Sequence, residues 1–367
     1  MGWFLKFAAS FAVSLTLAAA PAHALMPADG VPAEQAMFAD SHAPGMIVVV
    51  VKGGAETIRG YGEIRPGSGV RPDARTLFRI GSVSKLFTDD LMVDLRHDRR
   101  LELTDDLERY DPFGPEPRNP PITLLSLATH TSGVPRSAPA AARAGPEPQV
   151  ARWAWLHAHP RLATPGRGAV YSNFAYDLLG DALATAGRTP FETQVLSRVT
   201  GPLGMGDTVY APTPSQCARL MLARRAQDLF ACAPEHAVAA SGGLYSTGDD
   251  MAAYIRWRLG LGGPRDSDRA VRDGIYSRRQ DLAWAQGLDI AGPADGVGLG
   301  WVALAQPAGA PPILEKTGGF EGFNSYLAIA PGRGVGVFVV FDRMDLPALG
   351  RVAARVNALV EALVEAD

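Results

Sequence analysis

Only four lysines occur among the 367 residues, against 31 arginines, and two of the four stand in patterns that could do chemistry. Where arginine is the default cation, a retained lysine marks a position that an always-protonated guanidinium would not serve. Ser82-Val83-Ser84-Lys85 puts a hydroxyl and an amine three residues apart at a helix start, on one face and within hydrogen-bond reach. An uncharged Lys85 could accept or relay the Ser82 proton, which makes Ser82 the expected nucleophile. The helix N-terminus would add partial positive charge near the attacked carbonyl, and the Ser82 N–H could donate to a developing oxyanion.

Tyr171-Ser172-Asn173 opens a second expected helix, and Lys316-Thr317-Gly318 ends an expected strand. A phenol flanked by two ammonium groups ionises more easily than in water, so Tyr171 could serve as base in acylation and acid toward a leaving amine. Asn173 offers an amide to substrate and to Lys85. Lys316 would lower the proton affinity of Tyr171 and Lys85, and Thr317 could bind a substrate carboxylate. Gly318 completes that motif, and Gly319 has no side chain to block a second oxyanion donor. The three short patterns would arise together by chance on the order of 4 times in 10,000 at this composition, so they are read as one site.

Other features take a plainer reading. Ser84 is read as a helix-turn hydroxyl, and His130 as a structural residue at a helix exit rather than a triad member. Arg343 is read as a surface residue in preference to a hold on a terminal carboxylate. No serine has glycine at both flanking second positions, so the nucleophile elbow is absent. Scattered histidines and the lack of a Cys/His cluster argue against zinc, and no metal or other cofactor is expected.

The chain is 47% hydrophobic and 20% charged with a formal net charge of -3, the proportions of a globular protein. That balance excludes a disordered chain and argues against nucleic-acid binding, which wants a clustered basic excess. Lys6, the apolar run of residues 7–20 and Ala22-His23-Ala24 read as an export signal cleaved after Ala24, giving an expected periplasmic location. In an oxidising compartment the only two cysteines, Cys217 and Cys232, favour a disulfide, which could contribute roughly 3 kcal/mol.

The elements that must position these residues follow from pattern. Residues 46–52, 57–62 and 77–80 read as strands. Val83, Phe87, Leu91 and Leu95 mark an amphipathic helix beginning at Ser82. Residues 112–291 read as mostly helical, with helices over 124–127, 150–157, 173–186, 191–199, 215–225 and 251–259. Strand texture returns over 298–304, 313–317, 323–330 and 334–341, the last two joined by the hairpin signal Pro331-Gly332-Arg333, before a helix over 346–366. The expected α+β architecture is an antiparallel sheet flanked by helices, built from residues 25–111 and 292–367, with a helical lobe of 112–291 inserted and the site in the crevice.

These motifs resemble the penicillin-recognising serine hydrolases, in the branch containing class C β-lactamases, low-molecular-mass D-alanyl-D-alanine peptidases and related esterases. Residues 127–133 (LATHTSG) and 241–247 (SGGLYST) are also similar to that branch. The resemblance implies a β-lactamase/transpeptidase-like fold and D,D-carboxypeptidase and D,D-endopeptidase activity on peptidoglycan peptides. It also implies acylation by β-lactams with at most slow hydrolysis, and no cofactor. Phe320-Glu321-Gly322 departs from the more glycine-rich relatives at this point. A faster β-lactamase, a short-chain esterase and a non-catalytic muropeptide- or penicillin-binding sensor are the rival readings. Peripheral association with the inner membrane is left open.

Overall fold

The computed structural model describes residues 31–114, 117–140, 147–160, 162–222, 232–264 and 266–366. The expected export signal and its cleavage point lie outside those residues. Strands β1 (Gly45–Lys52), β2 (Ala55–Gly62), β3 (Ile275–Arg278), β4 (Ala294–Gly298), β5 (Val302–Leu304), β6 (Leu314–Phe320), β7 (Phe323–Ala330) and β8 (Val335–Phe341) form one antiparallel sheet. Its order is β2-β1-β8-β7-β6-β5-β4-β3, so strands from the two ends of the described chain meet at β1 and β8. Met46 lies opposite Phe341 and Lys52 opposite Val335, a seven-pair register without a bulge.

Both faces of the central strands are covered, which is why β1, β7 and β8 read as nearly continuous apolar runs. On one face lie α1 (Val31–Ser41) and α5 (Leu346–Glu365). Leu349, Val352, Val356 and Val360 of α5 recur at helical spacing against Val48, Val50, Val337 and Val339. Asp345 caps α5, its carboxylate accepting from the Ala348 N–H at 2.9 Å. On the other face lie α2 (Ser84–His97), α3 (Asn173–Gly187) and α4 (Gly248–Arg258), packed through Phe87, Leu91, Phe174, Leu178 and Ile255.

Three departures from the sequence reading have local causes. The expected strand over 298–304 is two strands, because Gly300 takes a positive φ of 70° and turns the chain between β4 and β5. Ile275–Arg278, inside the stretch read as helical, is instead the sheet's edge strand, half-buried to exposed and too polar to announce itself. The expected helix over 215–225 is a single turn, Pro214–Cys217; Leu220 leaves it to bridge Leu77, and residues 223–225 lie outside the described set. Cys217 and Cys232 are bonded as a disulfide.

Candidate active site

Ser82 sits in the 3-10 turn Gly81–Val83 that leads into α2, rather than in the α-helix itself. The turn is pressed against β6. A Cβ on Gly318 would lie 2.2 Å from Ser325 Oγ and 2.4 Å from the Ile80 carbonyl, so only glycine allows this approach. Gly81, at φ +51°, has its Cβ position 2.7 Å from the Gly319 nitrogen. The Ser325 hydroxyl donates to Ile80 O at 2.8 Å and pins the turn to the sheet. The main chain at Ser82 is thereby brought beside that at Gly319. Past Glu315, pairing with β5 stops, leaving Lys316–Phe320 bonded within the described sheet only to β7.

Lys85 is fully buried, and its Nζ lies 3.2 Å from Ser82 Oγ, 2.7 Å from Asn173 Oδ1 and 2.6 Å from Ser241 O. Burial is the largest cause lowering its pKa; Lys316 adds to the effect and the Tyr171 charge opposes it. Tyr171 is nearly buried, its ring centre 4.9 Å from Lys85 Nζ and 4.7 Å from Lys316 Nζ. Burial by itself would raise this phenol. The ammonium groups of Lys316 and Lys85, followed by hydrogen bonds from Lys85 and Ser82, outweigh burial and bring it down from 10 to about 8.

The start of α3 holds Tyr171 and Asn173 in place. Ser172 caps it, its hydroxyl accepting from the Ala175 N–H at 2.9 Å while donating to Pro135 O at 2.6 Å. The Tyr171 N–H donates to Gln286 O at 3.0 Å, and the Ser172 N–H to His130 Nδ1 at 3.1 Å. That bond requires a lone pair on Nδ1. Burial, then Lys316, Lys85 and Arg136, push His130 well below its usual pKa, so the imidazole is neutral and packs at a tilt, its centre 4.6 Å from that of Tyr171, as a support. The Ser84 hydroxyl is likewise structural, accepting from Leu244 N at 3.2 Å.

The sequence-predicted residues are Ser82, Lys85, Tyr171, Asn173, Lys316, Thr317, Gly318 and Gly319. Ser82, Lys85, Tyr171, Asn173 and Lys316 meet where β6, α2 and α3 converge, and Gly318 and Gly319 bring β6, with Thr317, against the Ser82 turn. Glu321 and Gly322 form the two-residue turn between β6 and β7, with φ of 45° and 88°, and the exposed Glu321 charge acts on Arg79 and Tyr245. Arg343 is a surface residue, donating to His42 O at 2.9 Å and paired with Asp345 at 3.3 Å. Two partners of Lys85 had no role in the reading of the sequence: the Ser241 carbonyl and the Tyr176 ring, 5.2 Å from Nζ. Ser241 heads a segment noted only for its family likeness, and a main-chain acceptor leaves no side-chain signature. Among the described residues no cluster of three His, Cys, Asp or Glu could hold a metal ion.

A sheet assembled from both ends of the described chain, a helical lobe beside it and a half-buried Ser82 backed by buried Lys85 and Tyr171 define a serine hydrolase of the β-lactamase type. The chain belongs to the beta-lactamase family, whose model matches residues 32–362. It is 40% identical over 336 residues to the D-alanyl-D-alanine-carboxypeptidase/endopeptidase AmpH of Escherichia coli (strain K12), covering 89% of this chain and 86% of that one. A beta-lactamase of Lysobacter lactamgenus is 26% identical over 90% of both chains. The crystal structure of a beta-lactamase/D-alanine carboxypeptidase from Yersinia pestis complexed with citrate is similar, with a TM-score of 0.80 and 38% identity. That match covers 90% of this chain and 96% of the other.

Proposed function

We propose that this protein is a penicillin-sensitive serine D,D-carboxypeptidase and D,D-endopeptidase that cleaves peptidoglycan peptides in the periplasm through an acyl-enzyme on Ser82. The observation that carries the reading is the set of partners around Lys85 Nζ. Asn173 Oδ1 and Ser241 O can only accept, so Lys85 spends an N–H on each and turns its remaining position toward Ser82 Oγ and the Tyr171 oxygen. The Tyr171 phenolate, favoured by the Lys85 and Lys316 charges, takes the Ser82 proton, with Lys85 bridging the two oxygens, as Oγ bonds to the carbonyl carbon. The N–H groups of Ser82 and Gly319 receive the oxyanion. As it re-forms the carbonyl, the C–N bond breaks, and Tyr171 protonates the departing amine. Water, deprotonated along the same path, then releases the acyl group.

Lys316 holds Tyr171 in its acidic state, Asn173 orients Lys85 and the acyl side of the peptide, and Gly318 lets β6 close on Ser82. Thr317, half-buried on the free side of β6, offers a hydroxyl to the substrate carboxylate. The 40% identity to AmpH and the D-alanine carboxypeptidase among the solved relatives support the peptide as substrate class. Ser82→Ala is expected to abolish both labelling by fluorescent penicillin and release of D-alanine from purified muropeptides. Muropeptide cleavage by that variant overturns the assignment; rapid steady-state turnover of penicillin by the wild type would make the protein a β-lactamase instead.

A further inference from the structure

Arg136 is held at the mouth of the cleft by three elements. Its carbonyl accepts from the Asn173 N–H at 2.8 Å, which ties it to the first turn of α3. Its guanidinium carbon lies 5.1 Å from the centre of the Tyr171 ring. Gly287 closes on it from the side: at φ +74° this residue carries no Cβ, and one built there would come within 2.8 Å of Arg136 Nη1 and 3.2 Å of Tyr171 Cβ. Gly287 is fixed in turn by the parallel pairing of Ala169–Val170 with Ala285–Gln286.

The guanidinium is exposed and has no hydrogen-bond acceptor or carboxylate partner among the described residues. The buried guanidinium groups of Arg152 and Arg258 meet carboxylates, Asp181 at 2.7 Å and Asp90 at 2.7 Å, whereas that of Arg136 faces solvent beside Tyr171. A planar donor set left unused beside the reacting groups suits a planar anion.

We propose that Arg136 clamps the carboxylate of the residue that leaves. The inference rests on the peptide cleavage proposed above, in which Tyr171 protonates the departing nitrogen. In a D-amino-acid leaving group the carboxylate carbon is bonded to the carbon bearing that nitrogen, about 2.5 Å away by covalent geometry. Arg136, its guanidinium carbon 5.1 Å from the centre of that same ring, is the unpaired cation that such a carboxylate would meet on the helical side. Thr317 contributes a hydroxyl from the strand side, and Arg136 the charge from the helical side. Terminal D-alanine and the D-centre of a cross-linked diamino acid both present this group, so one clamp serves carboxypeptidase and endopeptidase cleavage.

The test compares a bis-acetylated lysyl-D-alanyl-D-alanine peptide with its C-terminal carboxamide. Arg136→Ala should lower kcat/KM for the carboxylate peptide about tenfold, mainly through KM, and leave the carboxamide unchanged. Arg136→Lys should restore part of the loss. Arg167→Ala, which removes the exposed cation 5.7 Å from the Trp284 ring, should not discriminate between the two peptides. An equal loss on both peptides, no loss, or the same discrimination from Arg167→Ala overturns the clamp. If the wild type cleaves neither peptide, the proposed function fails. The clamp is then judged by binding to a Ser82→Ala chain, where a carboxylate preference unaffected by Arg136→Ala overturns it.

Discussion

Tyr171 is the residue whose charge state should be readable in the kinetics. Burial opposes its ionisation, yet two ammonium groups bring the phenol down to about 8, so it loses its proton within the working range. A phenolate accepts the Ser82 proton and a phenol does not. The rate constant for acylation by penicillin should therefore fall as pH drops below about 8, approaching tenfold per unit. Tyr171→Phe should slow acylation by about 10²- to 10⁴-fold and erase that limb. A limb that survives in the variant would move the titration to Lys85. The Ser82–Lys85 pair was legible from i, i+3 spacing, and its grouping with Tyr171, Asn173 and Lys316 from the joint rarity of three short motifs. The Ser241 carbonyl and the unpaired state of Arg136 were not, since both come into being only when distant segments pack.

At the scale of elements, β6 carries two jobs on adjacent residues. Lys316 lies beside the Tyr171 ring, while Glu315 is buried, with Oε2 lacking a partner. Desolvation dominates: it raises the Glu315 carboxyl from 4.5 to about 8, with Lys316 opposing and Asp289 adding to the rise. Between those pH values the folded chain holds a proton that the unfolded chain has lost, so stability falls as pH rises through the window. Glu315→Gln cannot ionise. It should lose none of the stability that the wild type loses through this carboxyl between pH 4.5 and pH 8, a difference on the order of a few kcal/mol from proton linkage. Urea melts at both pH values read this difference, and parallel stability curves would refute it. Strand β6 was expected over 313–317, near its true place. Its extension to Phe320 and the separation of β4 from β5 depend on turn conformations at Glu321-Gly322 and Gly300 that pattern alone does not distinguish.

The whole molecule joins its lobes through one core. Ile47, Val49 and Val51 on the inner face of β1 belong to the same buried cluster as Trp153 and Phe174 of the helical side, and the site lies across that seam. The opposite face of the sheet is closed by α1 and α5, elements near the two ends of the described chain. The α5 part of this closure was legible, because apolar strands at both ends and a final helix with one apolar side have to bury against each other, whereas α1 was not read from the sequence. It has a thermodynamic consequence far from the chemistry. Leu349 on α5 is buried on the face away from the cleft, so Leu349→Ala should cost about 2–5 kcal/mol through lost burial and a cavity. Because β1, β7 and β8 present side chains to both clusters, that loss should not stay on one face. Tryptophan fluorescence and penicillin-acylation competence should be lost together at a lower urea midpoint, while the acylation rate constant of the folded variant at 25 °C stays at its wild-type value. Two separated transitions, with acylation failing first, would mean that the lobes unfold independently and that the seam is a docking surface rather than a shared core.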